Sequence, residues 1–99
     1  MYHLLTDKQI ESNMKGLDGW VAKDKALSRH FRFEGYMDAL KFVETVAVDA
    51  ESRDHYPDVL FKYLEVVIVL SSHDGEGITE MDFISARAID KLAANFSAG

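Results

Sequence analysis

Between Glu51 and Asp82 the sequence gathers residues able to move protons. Glu51, Asp54, His55, Tyr56 and Pro57 lie close together, Ser72, His73 and Asp74 follow, and Asp82 closes the stretch. Imidazoles titrate near pH ~6.5, so His55 and His73 can each give and take a proton at neutral pH. Carboxylates beside them can orient the rings and raise their basicity. Both histidines are expected in loops, His55 just past a helix end and His73 just past a strand end, where a rigid scaffold can aim a side chain at a ligand. Each residue taken singly also has a plain structural explanation. Asp82 suits a helix cap, Asp54 a helix end, Glu51 an exposed helix charge and Pro57 a stop signal, while His3 and His30 fit surface or fold-supporting positions. As a set, the residue types indicate an acid–base site. A metal site of two histidines and two carboxylates is the weaker reading, because no HxxxH or HxH pair is present to hold ligands rigidly.

The elements that must position these residues follow from patterning. Thr6 with Gln9 three residues on forms a capping box for a first helix, carried by Ile10, Met14 and Leu17 and ended at Gly16 or Gly19. Trp20 to Lys23 reads as a short strand and Asp24-Lys25 as a turn. Leu27, Arg29, Phe31 and Phe33 then alternate with Ser28, His30 and Arg32, which predicts a second strand and a hairpin. Gly35 opens a second helix with the apolar stripe Tyr36, Leu40, Val43, Ala47 and Ala50. It must stop before Tyr56, because a residue preceding proline is pushed out of the helical region. Val59 to Leu64 and Val66 to Ser71 read as two more strands, the second expected to be buried on both faces. Their link carries no Gly or Asn signal. Asp74-Gly75-Glu76-Gly77 is a loop, after which Thr79 caps a third helix with Asp82 as box partner. Ile84 or Ser85, Ala88, Leu92 and Phe96 are expected on its inner face. The order α-β-β-α-β-β-α predicts an α+β fold, a four-stranded antiparallel sheet with three helices on one face.

Composition narrows the classes. A chain of 99 residues, 47% hydrophobic and 28% charged, fits a single globular domain over 1–99. A domain this short has little core to spare, so a homodimer or homotetramer is expected. No cysteine is present, which excludes disulfides, thiolate metal sites and a cysteine nucleophile. The 11 basic residues are scattered and the net charge is −6, which argues against direct nucleic-acid binding. The longest apolar run, Val66 to Leu70, is too short to span a bilayer. Met1 to Asp7 lack the basic start and apolar stretch of a signal peptide, so a cytoplasmic location is the expectation.

The spacing Glu51-x3-His55-Tyr56-Pro57-x5-Tyr63-x9-His73-x8-Asp82 resembles the signature of the pterin-4a-carbinolamine dehydratases. The likeness extends to Gly19-Trp20, to Phe31-x-Phe33 and to Gly77-Ile78-Thr79, and so covers nearly the whole chain. The resemblance implies elimination of water from a 4a-hydroxytetrahydropterin, such as that of tetrahydrobiopterin, to give the quinonoid dihydropterin. It implies His55 and His73 as the acid–base pair, with Asp82 and Glu51 positioning or polarising the imidazoles. Asp54, Tyr56, Pro57, Ser72 and Asp74 would contact the pterin. No metal and no separate cofactor is implied, because the pterin is itself the substrate.

One position departs from the family. Tyr56 stands where the dehydratases usually carry a second histidine or sometimes asparagine, and a phenol with pKa near ~10 is a poor base at pH 7. Tyr56-Pro57-Asp58 is similar instead to a bacterial branch of the fold that helps assemble the CO2-fixing carboxylase. An animal branch binds a dimeric transcription factor. The alternative expectation is therefore a non-enzymatic scaffold with a protein partner, against which stand His55, His73, Glu51 and Asp82.

Overall fold

The computed structural model describes residues 2–96. Its elements are α1 (Asp7–Asn13), β1 (Val21–Lys23), β2 (Ala26–Arg32), α2 (Tyr36–Arg53), β3 (Asp58–Lys62), β4 (Glu65–Leu70) and α3 (Glu80–Ala94). The α-β-β-α-β-β-α order is the one read from the sequence. Among the described residues no helix is long and apolar enough to cross a membrane.

Two hairpins join through their second strands to make one antiparallel sheet in the order β1-β2-β4-β3. Asp24 and Lys25 form the first turn, both with positive φ, the geometry that matches strand twist in a two-residue hairpin. The second turn is Tyr63-Leu64, closed by the Lys62–Glu65 pair. Tyr63 takes φ 49° without being Gly or Asn. Its ring lies beside Tyr36, which stacks on Phe61 at 5.3 Å, so aromatic contact holds a turn that carries no turn signal.

Alternation along the strands gives the sheet one apolar face. Leu27, Phe31, Val66, Ile68 and Leu70 point to this face and are buried against α2 and α3. Phe42 of α2 meets Phe31 and Phe33, each at 5.0 Å, and α1 adds Ile10 and Met14 at the margin of the same core. The other face bears the diagonal contact between His30 and Glu65 and, on β4, Val67 and Val69. Val67 is 9% exposed and Val69 half-buried, although no helix covers them. The expected two-sided burial of β4 therefore holds for Val67 and only in part for Val69.

The helix stripes differ from the sequence expectation. In α2 the buried residues are Ala39, Phe42, Val46 and Ala50; Leu40 and Val43 flank them, and Tyr36 and Ala47 are exposed. In α3 they are Asp82, Phe83, Ser85, Ala86, Ile89 and Ala93, with Ile84, Ala88 and Leu92 only half-buried, as is Phe96 just past the helix end. Each helix is apolar over enough of its circumference for two adjacent stripes to satisfy the 3.6-residue period. The large rings of Phe42 and Phe83 decide which one turns inward.

A polar tie pins the sheet to α3. Asp90 accepts from Trp20 Nε1 at 2.8 Å and from Arg29 Nη1 at 2.7 Å, and the Arg29 guanidinium lies over the Phe31 ring. Gly19, at φ +87°, sits so close that a Cβ there would fall 2.8 Å from Arg29 Nε. Gly19→Ala should therefore strain the backbone and displace the guanidinium, lowering stability by about 1–3 kcal/mol. A denaturant midpoint equal to that of the parent chain would show that this corner is not close-packed.

Candidate active site

The site is assembled where α2 ends, β4 ends and α3 begins. Asp54 closes α2 in the left-handed region at φ 51°, its N–H reaching back to the carbonyls of Ala50 and Glu51. His55 follows, its own N–H bonded to the Ala50 carbonyl, and Pro57 prevents further helix. The chain then enters β3 at Asp58, whose partner across the ladder is Val69. After β4, Ser72 pairs with Gly77 in an isolated bridge that closes the loop carrying His73, Asp74 and Gly75, three consecutive residues with positive φ.

Asp82 is the centre of the polar network and is fully buried. Its Oδ1 accepts from His55 Nε2 at 2.6 Å. Its Oδ2 accepts from the Thr79 backbone N–H at 2.9 Å and from the Ser72 hydroxyl at 2.6 Å. Because a carboxylate only accepts, Ser72 must donate to it. The Thr79 hydroxyl, 2.9 Å away, then donates to Ser72 and accepts from the Met81 N–H. The capping role and the histidine-orienting role of Asp82 thus belong to different oxygens of one carboxylate. The same logic sets the ring of His55: Nε2 carries a proton towards Asp82 and Nδ1 is left with a free lone pair when the ring is neutral. His73 is fixed from a different direction, its Nε2 donating to the Tyr2 carbonyl at 3.0 Å.

The two imidazoles line one cavity of about 500 Å3. Asp54, Tyr56, Ser72 and Asp74 also line it, as do Asp58, Val69, Ser71 and Gly75, which sequence reasoning did not single out. Among the described residues its three aspartates face no lysine or arginine across the lining. A second cavity of about 560 Å3, walled by Tyr2, Arg53, Thr79 and Met81, shares Asp54, His55, Ser72 and His73 with the first. The histidines therefore stand between two openings.

Two expected roles have no matching contact in this geometry. Glu51 bonds to neither imidazole; its carboxylate, exposed on the last turn of α2, accepts the Tyr56 hydroxyl from the loop that follows at 2.6 Å. Pro57 does not line the cavity, since it turns the chain into β3 beside it. The hydrogen bond to Glu51, with further contributions from desolvation and from the charges of Glu51 and Asp54, raises Tyr56 above the ordinary phenol value of 10.0. A phenol held that way stays protonated throughout the neutral range and cannot take the place of an imidazole base.

A fold of this topology with a carboxylate-held imidazole at the end of its sheet defines a class, and comparison with known proteins gives the family. A profile described as pterin 4 alpha carbinolamine dehydratase matches residues 3–92. A Mycobacterium sp. (strain KMS) protein, named by inference as a pterin-4-alpha-carbinolamine dehydratase, is 39% identical over 89 residues, spanning 90% of this chain and 95% of its own. A Brucella melitensis structure described as a transcriptional coactivator/pterin dehydratase superposes with a TM-score of 0.85 at 32% identity, covering 92% of this chain and 99% of the other. A pterin dehydratase-like protein identified as a RuBisCO assembly factor in the alpha-carboxysome shares the fold, with a TM-score of 0.62 at 24% identity over 75% of this chain and 86% of its own. The chain belongs to the pterin-4-alpha-carbinolamine dehydratase family.

The divided carboxylate makes a separable prediction. Asp82→Ala removes the cap and strands the donors of Ser72 and Thr79, and should cost about 2–4 kcal/mol in denaturant unfolding. Asp82→Asn can still accept from Thr79 and Ser72 through its oxygen, which turns its NH2 towards His55. His55 must then accept at Nε2 and carry its proton on Nδ1. Nitrogen-15 NMR of the imidazole should report this inverted tautomer in a folded protein. An unchanged tautomer would mean that Asp82 does not govern the ring.

Proposed function

We propose that the protein eliminates water from a 4a-hydroxytetrahydropterin, the hydroxylated form of a tetrahydrobiopterin-like compound, by general acid–base catalysis through His55 and His73. The observation that carries this reading is the pairing of two Nε2-anchored imidazoles on one polar cavity, in a chain of the dehydratase family. In the reaction the C4a–O bond breaks. The hydroxyl leaves as water after receiving a proton from an acid, and a base accepts the proton of a ring N–H, giving the quinonoid dihydropterin. An imidazole fixed through Nε2 has Nδ1 for either task, and the two rings divide them. Asp82 stabilises the imidazolium that His55 becomes if it is the base. Asp54, Tyr56, Asp58 and Asp74 then contact the pterin, whose ring N–H and amino donors complement carboxylate acceptors. The pterin is the substrate, so the chemistry proposed here calls for no further cofactor.

Tyr56 gives a second reading its footing. A hydroxyl committed to Glu51 and held above the usual phenol range leaves two imidazoles on the cavity, with a phenol at the position where the resemblance to the dehydratases implies a further histidine or asparagine. A chain that had lost the activity would then act through a protein partner, as the names of its structural relatives indicate for those proteins.

The test is the rate of water loss from freshly generated 4a-hydroxytetrahydropterin, set against the uncatalysed background. His55→Ala and His73→Ala should each slow turnover by ~10²–10⁴-fold, the usual share of a general acid or base. Tyr56→Phe should change it far less, with the same pH–rate profile below pH ~10, because the phenol does not ionise there. Tyr56→His should leave activity equal or higher. Acceleration by Tyr56→His but not by the parent chain would identify a scaffold that lost its chemistry at this residue. No acceleration by either would defeat the enzymatic reading.

A further inference from the structure

The two imidazoles are held by very different means. His55 is tied to a buried carboxylate that α3 itself fixes. His73 is exposed, sits on a loop whose residues His73 and Asp74 adopt positive φ, and has only one side-chain hydrogen bond among the described residues, to the Tyr2 carbonyl at 3.0 Å. Left-handed backbone at non-glycine residues costs energy and persists only where the surroundings over-determine it.

The segment that supplies this carbonyl is itself anchored. Leu4 forms an antiparallel bridge with Thr79, and the Leu5 N–H donates to the Ile78 carbonyl at 2.8 Å. The Leu4 side chain lies over Gly77, where a Cβ would meet it at 3.1 Å. The Thr6–Gln9 capping box then starts α1 with both of its bonds made. Residues 2–5 therefore form a strap laid along residues 77–79, the strand-like approach to α3 that also contains Thr79 of the Asp82 network.

We infer that this strap is a positioning element for the proposed reaction: the Tyr2 backbone carbonyl fixes the ring orientation and tautomer of His73, holding the proton on Nε2 and leaving Nδ1 free for the substrate. The role belongs to the main chain, so no side chain at position 2 is required for it. The inference rests on the dehydratase reading for its catalytic consequence but not for its structural content. One backbone approach to α3 serves both imidazoles, through Thr79 and Asp82 for His55 and through the strap for His73.

The test uses the full chain, a variant lacking Tyr2 and His3, and Tyr2→Ala. The deletion keeps Leu4, Leu5 and the capping box and removes the carbonyl; Tyr2→Ala keeps the carbonyl and removes the ring. Nitrogen-15 NMR of His73 should show the Nε2–H form in the full chain and in Tyr2→Ala, and a mixture of tautomers after the deletion. Circular dichroism verifies that the deleted chain is folded. Its kcat should fall about 3- to 10-fold with KM little changed, the scale of one lost hydrogen bond. A deleted chain that retains both the Nε2–H signature and full kcat overturns the inference, as does a full chain whose His73 is already a tautomer mixture. If the tautomer responds as expected but the full chain does not accelerate dehydration, the strap's hold on His73 stands and the dehydratase reading is what fails.

Discussion

The burial of the Asp82 carboxylate is the constraint on which the site depends. An ionised group removed from water is costly unless its oxygens are fully engaged, and here each lone-pair direction that matters has a donor. Satisfying Oδ2 requires that Thr79 stand at the start of α3 and that Ser72 lie at the end of β4. Satisfying Oδ1 requires that the chain leaving α2 bring His55 over it. The ends of α2 and β4 and the start of α3 are thereby brought to one point, directly behind His55 and Ser72 of the cavity wall.

Dependence also runs from the carboxylate to the chemistry. A capping box is ordinarily a local device that satisfies N-terminal N–H groups of a helix. In α3 it holds the carboxylate rigid, so its second oxygen can dictate which nitrogen of His55 carries a proton. Such second-layer contacts decide whether an imidazole presents a lone pair or an N–H to a reacting atom. Among the described residues His73 has no interior partner of this kind, and its ring is oriented from the surface by main chain. Tyr56 is held differently again: its bond to Glu51 keeps the phenol neutral and turns its hydroxyl away from base chemistry.

Much of this was legible in the sequence wherever the signal was local. Both capping boxes, Thr6 with Gln9 and Thr79 with Asp82, are read from residue types three positions apart, and both are formed. The turn at Asp24-Lys25, the stop of α2 before Pro57 and the alternation of β2 are equally local. The faces of α2 and α3 were not, because Phe42 and Phe83 choose between adjacent stripes only once the sheet is present. Nor could spacing show that Glu51 serves Tyr56, a matter of side-chain direction at a helix end. Asp58 and Val69 reach the cavity through a cross-strand pair, which requires the register of β3 on β4. The Tyr2 carbonyl has no signature at all, since every residue has one. The spacing from Glu51 to Asp82 carried the resemblance to the family that the comparisons show, whereas the individual roles emerge only from geometry.

The most direct measurement is a crystal structure of the protein with a bound 7,8-dihydropterin. The account predicts the ring in the cavity beside His55, His73 and Tyr56, with Nδ1 of at least one imidazole within hydrogen-bonding distance of the pterin and the His55–Asp82 contact intact. A pterin bound elsewhere on the protein, or seated in the cavity with both imidazoles out of reach, would contradict it.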